Sequence, residues 1–480
     1  MCRVINQALH GGGRMLSRSR RFSVETYIIG LILSTLDLLM VVPILSFVTQ
    51  EYYLSMHWTV WVVSLHLAFF SFSLPVMDNW AASRGKMEVL WTALSLFVLG
   101  TVVAGLANEW VWFMSGRVFQ AIGMGGMVPF LATHTRRKLC KLGKINRRLL
   151  LLAFALLLCV IPLWSSWLAH MLGFRAVFVL HILYALAVSL MAKKWKVVDQ
   201  PSRSGVGVES IIFFGLIILF LMLAITSTDF AKGWSALLFR EVLPLWIVAV
   251  GMVVPLLMVE RQGRYPFFEP HLFANWRLWI LYLHVTLQGF LWTTLTLLPY
   301  WFTQAYHLGE YGTGILLSLI ATSAVLALPF IAALSQSVYL HRFSCFAFLL
   351  TSSVYLLMIW LNDFNYILLT VSLLGFILSF ALADPVHHYM FQWVSPRRIR
   401  SGLMAAGMFR AAGGAIGLVA AARLFSFIDP LLPFGFMHRE MGHLVTAIEI
   451  RVFTLFAGVS LLSFLLSILL EIKKVSHFSK

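Results

Sequence analysis

Apolar stretches alternate with short polar and basic ones along the whole 480-residue chain. The apolar runs are about 17 to 25 residues long, the length at which an α-helix crosses the hydrocarbon core of a bilayer. They predict fourteen helices, at 27–48, 58–77, 87–107, 111–133, 149–169, 176–192, 209–227, 242–259, 278–303, 312–334, 344–361, 365–386, 401–422 and 452–471. The runs are continuous and show no in-out alternation, so they predict helices and not the strands of a membrane barrel; a bilayer accepts no other backbone. Two boundaries are weakly marked. Only LGFR separates the fifth run from the sixth, and the twelfth runs into Asp384, Pro385, His387 and His388.

The polar stretches divide the chain. A basic tail (1–26) precedes six runs (27–192); linkers and two further runs fill 193–276; six more runs fill 277–471, and a short tail (472–480) follows. This predicts an all-α integral membrane protein of two six-helix bundles plus two inserted helices. Transporters built from such repeats hold their substrate near the midplane between the repeats. A composition of 60% hydrophobic and 11% charged residues excludes a soluble globular protein. The net charge of +17 raises the question of nucleic acid, but the basic residues sit in the links between apolar runs. Orientation explains them, and no nucleic-acid partner is expected. With the N-terminus inside, roughly 28 Lys and Arg fall on the cytoplasmic side and roughly 6 outside; Arg117 and Arg410, in the membrane, complete the 36. Both tails are then cytoplasmic, and the N-terminal stretch reads as a retained tail and first helix, not a signal peptide. Cys2, Cys140, Cys159 and Cys345 are scattered without ligand or disulfide spacing.

Candidate chemistry lies where polar residues interrupt the runs. RVFQAIGMGG at 117–126 places Arg117 and Gln120 inside a span, and a tolerated intramembrane arginine is usually paired and faces protein or a water-filled cavity. Asp37 is the acidic residue well inside the first six runs. Burial favours its protonated form and a nearby guanidinium its ionised form, so Asp37 with Arg117 reads either as a proton-coupling pair or as a static pair that positions two helices. His66, His181 and His284 lie within spans, as proton relays, as cavity-lining groups or as hydrogen-bonded neutral side chains. Gln120, His66, Trp164, Gln288 and Trp292 are candidate substrate-cavity residues, and Trp167 is a further one. Gly123, Gly413, Gly414 and Gly417 read as helix-packing positions, the 413–417 pair as a GxxxG. Arg410 reads equally as buried in protein or as snorkelling to a helix end. No phosphate-binding loop, HExxH or GxSxG is present, so no enzyme and no cofactor is expected, and energy would come from an ion gradient.

These marks resemble a family. RVFQAIGMGG resembles the fourth-helix motif RxxQGxGxA of the major facilitator superfamily, with Arg117, Gln120 and Gly123 on matching positions. Leu36 and Asp37 resemble the start of its first-helix motif. Glu260, Arg261, Pro266, Leu272, Phe273 and Asn275, LPYWFTQ at 298–304 and MFRAAGGAIG at 408–417 resemble segments of the fourteen-helix drug:proton antiporter group, the EmrB/QacA-like transporters. The resemblance implies two bundles rocking about a central cavity, with Asp37 and Arg117 carrying proton coupling. It also implies an exporter in a bacterial inner membrane that takes a small-molecule substrate. Where the cell has two membranes, it implies a periplasmic adaptor and an outer-membrane channel as candidate partners.

The chain departs from the family in two places. The loop between helices two and three, normally GxLADRxGRR, reads DNWAASRGKM: Gly85 and Lys86 match, Asp78 replaces the first glycine and Ala82 the aspartate, so the gating loop is altered. The fifth-helix motif ending GPxxGG appears as IPLWSS, with Pro162 matching and Ile161, Ser165 and Ser166 in place of glycines. The expected function is a proton-coupled exporter of small amphipathic compounds. The alternatives are a dedicated exporter of one endogenous metabolite, such as a siderophore, and a degenerate, non-transporting sensor or scaffold.

Overall fold

The computed structural model describes residues 35–141, 143–193, 208–229, 235–262, 275–305, 308–309, 311–334, 339–360, 364–383, 386–394, 399–425 and 442–478. They form fourteen long helical segments: α1 (35–51), α2 (Met56–Arg84), α3 (Lys86–Leu106), α4 (Trp110–Lys141), α5 (Lys144–Leu172), α6 (Phe174–Ala192), α7 (Val208–Ser227), α8 (Leu243–Gln262), α9 (276–305), α10 (Gly312–Leu334), α11 (Tyr339–Trp360), α12 (Phe364–Leu382), α13 (Ile399–Phe425) and α14 (Gly442–Phe478). A short helix, Val386–Trp393, lies between α12 and α13. Among the described residues, eleven helices are long and apolar enough to cross a membrane, and Leu368–Leu382 of α12 is apolar but shorter.

The weakly marked boundaries have local explanations. Between α5 and α6 a single glycine suffices: Gly173 at φ 83° caps α5 and a 3-10 turn, Phe174–Ala176, starts α6 directly. α12 stops at Leu382, short of the expected 386; Asp384 and Pro385, and the side chains of His387 and His388, lie outside the described residues. The second and third helices meet more tightly than expected. α2 continues through Arg84, and Gly85 at φ 111°, a left-handed conformation that β-carbons disfavour, is the whole turn before Lys86 opens α3. α1 is tightened by a 3-10 turn at Val42–Ile44, which contains Pro43, a residue without an N–H to donate.

Packing follows the small residues. α3 packs along α4, and α9 packs along α13. A β-carbon on Gly123 would meet the Ala93 carbonyl oxygen at 2.6 Å and the Phe97 nitrogen at 2.7 Å, so α3 and α4 approach at backbone distance. Gly413 sits against the Thr286 backbone of α9 in the same way, and Gly417 against Phe290. Helices from the two ends of the chain meet along two seams, α2 with α13 and α5 with α10. α7 lies beside the first seam, touching α2, α13 and α8. Trp61 of α2 donates to the Thr226 hydroxyl of α7 at 3.1 Å, and Arg423 of α13 donates to the Thr228 carbonyl at 2.9 Å. Leu156, Leu157, Val160 and Leu163 make an exposed apolar stripe on α5, a liability in water and the ordinary outer surface of a helix in lipid.

Candidate functional site

Three elements converge on Asp37. Arg117 on α4 is fully buried, with 0% exposure, and its guanidinium grips the Asp37 carboxylate with both terminal nitrogens, Nη1 to Oδ1 at 3.0 Å and Nη2 to Oδ2 at 2.8 Å. Such bidentate pairing is the geometry that repays burying two charges, and removing one partner of a buried pair costs roughly 3–5 kcal/mol. The other donors are also used. Nε donates to the Val62 carbonyl of α2 at 3.2 Å, and Nη1 to Gln120 Oε1, one turn along α4, at 2.6 Å. Gln120 Nε2 in turn donates to Thr101 Oγ1 at 2.9 Å, and that hydroxyl donates to the Phe97 carbonyl at 2.7 Å. The chain fixes Arg117 between α1, α2 and α3.

Two histidines complete the shell. His181 of α6 has Nε2 3.2 Å from Asp37 Oδ1 and Nδ1 3.3 Å from the Val177 carbonyl. A neutral imidazole carries one N–H, and both neighbours are acceptors when Asp37 is ionised. Both contacts become hydrogen bonds together only when the Asp37–His181 pair holds one proton more than a carboxylate and a neutral ring. The proton then sits on His181, or on the carboxyl with the ring accepting it. His66 of α2 lies on the other side, Nε2 3.5 Å from Asp37 Oδ2, and its Nδ1 is buried with no hydrogen-bond partner among the described residues.

His66 is also part of the wall of a central cavity. The cavity lies between α1, α2 and α4 on one side and α9 and α13 on the other, with Phe70 and Met124 facing Trp292, Thr293 and Arg410. At about 50 Å³ it holds a water or two and is far below the several hundred Å³ of a drug-sized site, so this conformation is closed around it. Arg410 is buried, which resolves the alternatives for it in favour of protein. It donates to Gln288 Oε1 on α9, and Gln288 Nε2 lies 3.1 Å from His284 Nε2. Gly289 and Gly414 admit this arrangement: a β-carbon on Gly289 would collide with the Arg410 backbone, and one on Gly414 would press on Leu67 at 3.2 Å.

The residues expected from the sequence fall into place unevenly. Asp37, Arg117 and His66 come together, and Trp292 joins them across the cavity. Gln120 and Gln288 do not line the cavity; each is fully buried behind it, holding an arginine. Trp164 is not a cavity residue. It is 63% exposed beside Leu163 on the outer stripe of α5, and Trp167 is exposed as well, because their positions on the helix face outward. Asp78 is not in the loop: it lies within α2, about two turns before Gly85. Ser165, in place of a motif glycine, donates to the Met40 carbonyl of α1 at 2.5 Å. Ser166, in place of the next, packs against Gly314 of α10, where a β-carbon would meet it at 2.6 Å. The small residue at this contact stands on the partner helix. The contact of His181 with Asp37 was not anticipated; a histidine in a span was the only signal for it.

The sequence profile of the Major Facilitator Superfamily matches residues 27–418, most of the chain, and the protein belongs to that family of membrane transporters; it is not an enzyme. Among curated relatives it is 25% identical over 247 residues to the MFS-type efflux pump MMF1 of Pseudozyma antarctica, covering 48% of this chain and 44% of that protein. It is 21% identical over 283 residues to the multidrug transporter protein MdtP of Bacillus subtilis, covering 55% and 50%. Across the curated relatives it matches, the aligned part spans from 23% to 63% of their length. Its fold is similar to that of the human organic anion transporter MFSD10, with a TM-score of 0.55 and 16% identity over 93% of this chain and 99% of that one. It is also similar to tetrameric PepTSo2, with a TM-score of 0.58 and 14% identity over 96% and 99%. These likenesses concern the fold.

Proposed function

We propose that the protein is a proton-coupled transporter of the fourteen-helix drug:proton antiporter type, exporting small amphipathic compounds by alternating access. The observation that carries this reading is the Asp37 shell. A carboxylate gripped by Arg117 and flanked by two histidines, one of which also lines the central cavity, can take up and release a proton in step with the cavity's contents. His66 supplies the route: a proton reaching Nδ1 from the cavity leaves Nε2 free to pass its own to Asp37 Oδ2. Protonating Asp37 removes the charge that Arg117 is held by, and the α1–α4 contact changes strength with the proton.

In this reading residues 27–192 and 277–471 move against each other about the cavity, with 193–276 as an insert. The basic links support a topology with both termini in the cytoplasm of the cell that carries it. Efflux pumps and multidrug transporters among the distant relatives support the direction and substrate class. The test is the purified full chain in lipid vesicles. An imposed proton gradient drives uptake of an amphipathic substrate by inverted protein, and Asp37→Asn abolishes it while leaving the protein folded. Flux that persists without a gradient, or an Asp37→Asn variant as active as wild type, rejects proton coupling.

A further inference from the structure

We infer that His66 Nδ1 is a hydrogen-bonding subsite of the central cavity, that it takes an O–H or N–H donor on an otherwise apolar substrate, and that a proton on Asp37 turns this preference off. This deepens the transport reading above, on which its meaning for antiport rests, by naming the substrate class. His66 is 4% exposed and lines the cavity, and its Nδ1 has no hydrogen-bond partner among the described residues. A buried polar atom without a partner carries a desolvation cost that a ligand group removes by bonding to it. Nε2 stands 3.5 Å from Asp37 Oδ2, which leaves Nδ1 as the nitrogen for the contents of the cavity.

Asp37 decides what Nδ1 offers. A neutral imidazole carries one N–H, and its other nitrogen accepts. While Asp37 is ionised, the hydrogen belongs on Nε2, toward the carboxylate, and Nδ1 presents a lone pair. When a proton enters at Nδ1 and the Nε2 proton passes to Oδ2, the ring is neutral again with its hydrogen on Nδ1, and the carboxyl donates to Nε2. One proton has been taken up, and Nδ1 has become a donor that repels the donor it bound before. Proton and substrate thus use one ring at different times. The ionisable groups about the ring are Asp37 on α1, Arg117 on α4 and His181 on α6, with Arg410 across the cavity on α13. His181 adjoins Oδ1 and His66 Oδ2, so the two rings address different oxygens of the carboxyl.

The rest of the wall suits the same ligand. Phe70 and Trp292, on opposite sides, supply faces for an aromatic or aliphatic body. The Thr293 hydroxyl on α9 donates to the Phe290 carbonyl at 2.7 Å, so toward a ligand its oxygen is an acceptor as well. The class defined is a compact apolar body bearing a hydroxyl, as in a phenol, or an amide N–H.

The experiment compares 1-naphthol, which has a donor, with 1-methoxynaphthalene, which has the same rings and only an acceptor. Binding is measured by calorimetry on the purified full chain in lipid nanodiscs, with no gradient present and with protein-free nanodiscs subtracted. The wild type binds the naphthol at least tenfold more tightly, about the worth of one net hydrogen bond. His66→Phe keeps a flat ring without the nitrogens and removes the preference. Asp37→Asn, whose amide donates to Nε2 as a protonated carboxyl does, removes or reverses it, and acidifying the wild type, with both probes still neutral, removes it too. Equal binding, tighter binding of the ether, binding of neither probe, or an unchanged preference in His66→Phe overturns the subsite. A preference that survives in folded Asp37→Asn, or in the wild type down to the pH at which it unfolds, overturns its control by Asp37. The wild-type measurements decide even if the variants fail to fold. A naphthol preference without any gradient-driven flux rejects the transport reading and leaves the subsite standing; gradient-driven flux without the preference does the reverse.

Discussion

Two arginines are buried among the described residues, and they are held by different means. Arg117 is matched by a carboxylate in a bidentate pair, by the Val62 carbonyl and by Gln120, which Thr101 holds in turn. Arg410 is held by the amide of Gln288 and reaches the cavity. The first site carries its counter-charge on a neighbouring helix and answers to a proton; the second borders the cavity on the opposite wall. The difference teaches that a buried arginine in a span is not one kind of signal. Its meaning depends on which groups hold it and on whether it borders the cavity.

The comparison is broken most severely at Arg117. Arg117→Ala leaves Asp37 buried without its guanidinium and is expected to cost about 3–5 kcal/mol of stability, read from denaturant unfolding in mixed micelles. The double variant Asp37→Leu with Arg117→Met should recover most of that loss yet show no gradient-driven flux, which separates folding from coupling. Next comes the seam that positions Arg410. Gly413→Ala, whose β-carbon meets the Thr286 backbone, should cost about 1–3 kcal/mol, and Gly414→Ala, which meets only the end of the Leu67 side chain, should cost clearly less. Arg410→Gln comes third, at about 1.5–3 kcal/mol or below, the range for a hydrogen bond to a charged group, read from the same unfolding measurement. The smallest effect is expected at Trp164. Trp164→Leu keeps an apolar side chain on the outer face and should stay within about 0.5 kcal/mol without altering binding, whereas Trp292→Leu removes a cavity wall and should weaken it. Equal losses at the two tryptophans would undo the assignment of sides.

The helices were legible because membrane spans are set by length and continuity of apolar residues, properties a sequence carries directly. The Asp37–Arg117 pair was legible for a related reason: two ionisable residues in apolar runs have few places to go except to each other. What the sequence could not convey was direction around a helix. Trp164 and Trp292 both interrupt apolar runs, and nothing in either run says which faces lipid, since lipid and cavity are both apolar. The same limit hid His181, whose partner is 144 positions away. Asp78 was misplaced for another reason: DNWAASR contains no helix breaker, and the break falls one residue later, at Gly85.

The tie between α7 and its neighbours also bears on how the molecule can move. Trp61 of α2 and Arg423 of α13 both anchor to the last turn of α7 and the residue just beyond it, so this short stretch clasps the two sides of one seam together. The opposite seam, α5 against α10, carries a direct bond, Ser318 donating to the Cys159 carbonyl at 2.5 Å, beside the contact of Ser166 with Gly314. Two bodies clasped along one edge swing like the covers of a book. With the α2–α13 edge clasped through a third helix as the spine, opening toward α5 and α10 has to break the Ser318–Cys159 bond first.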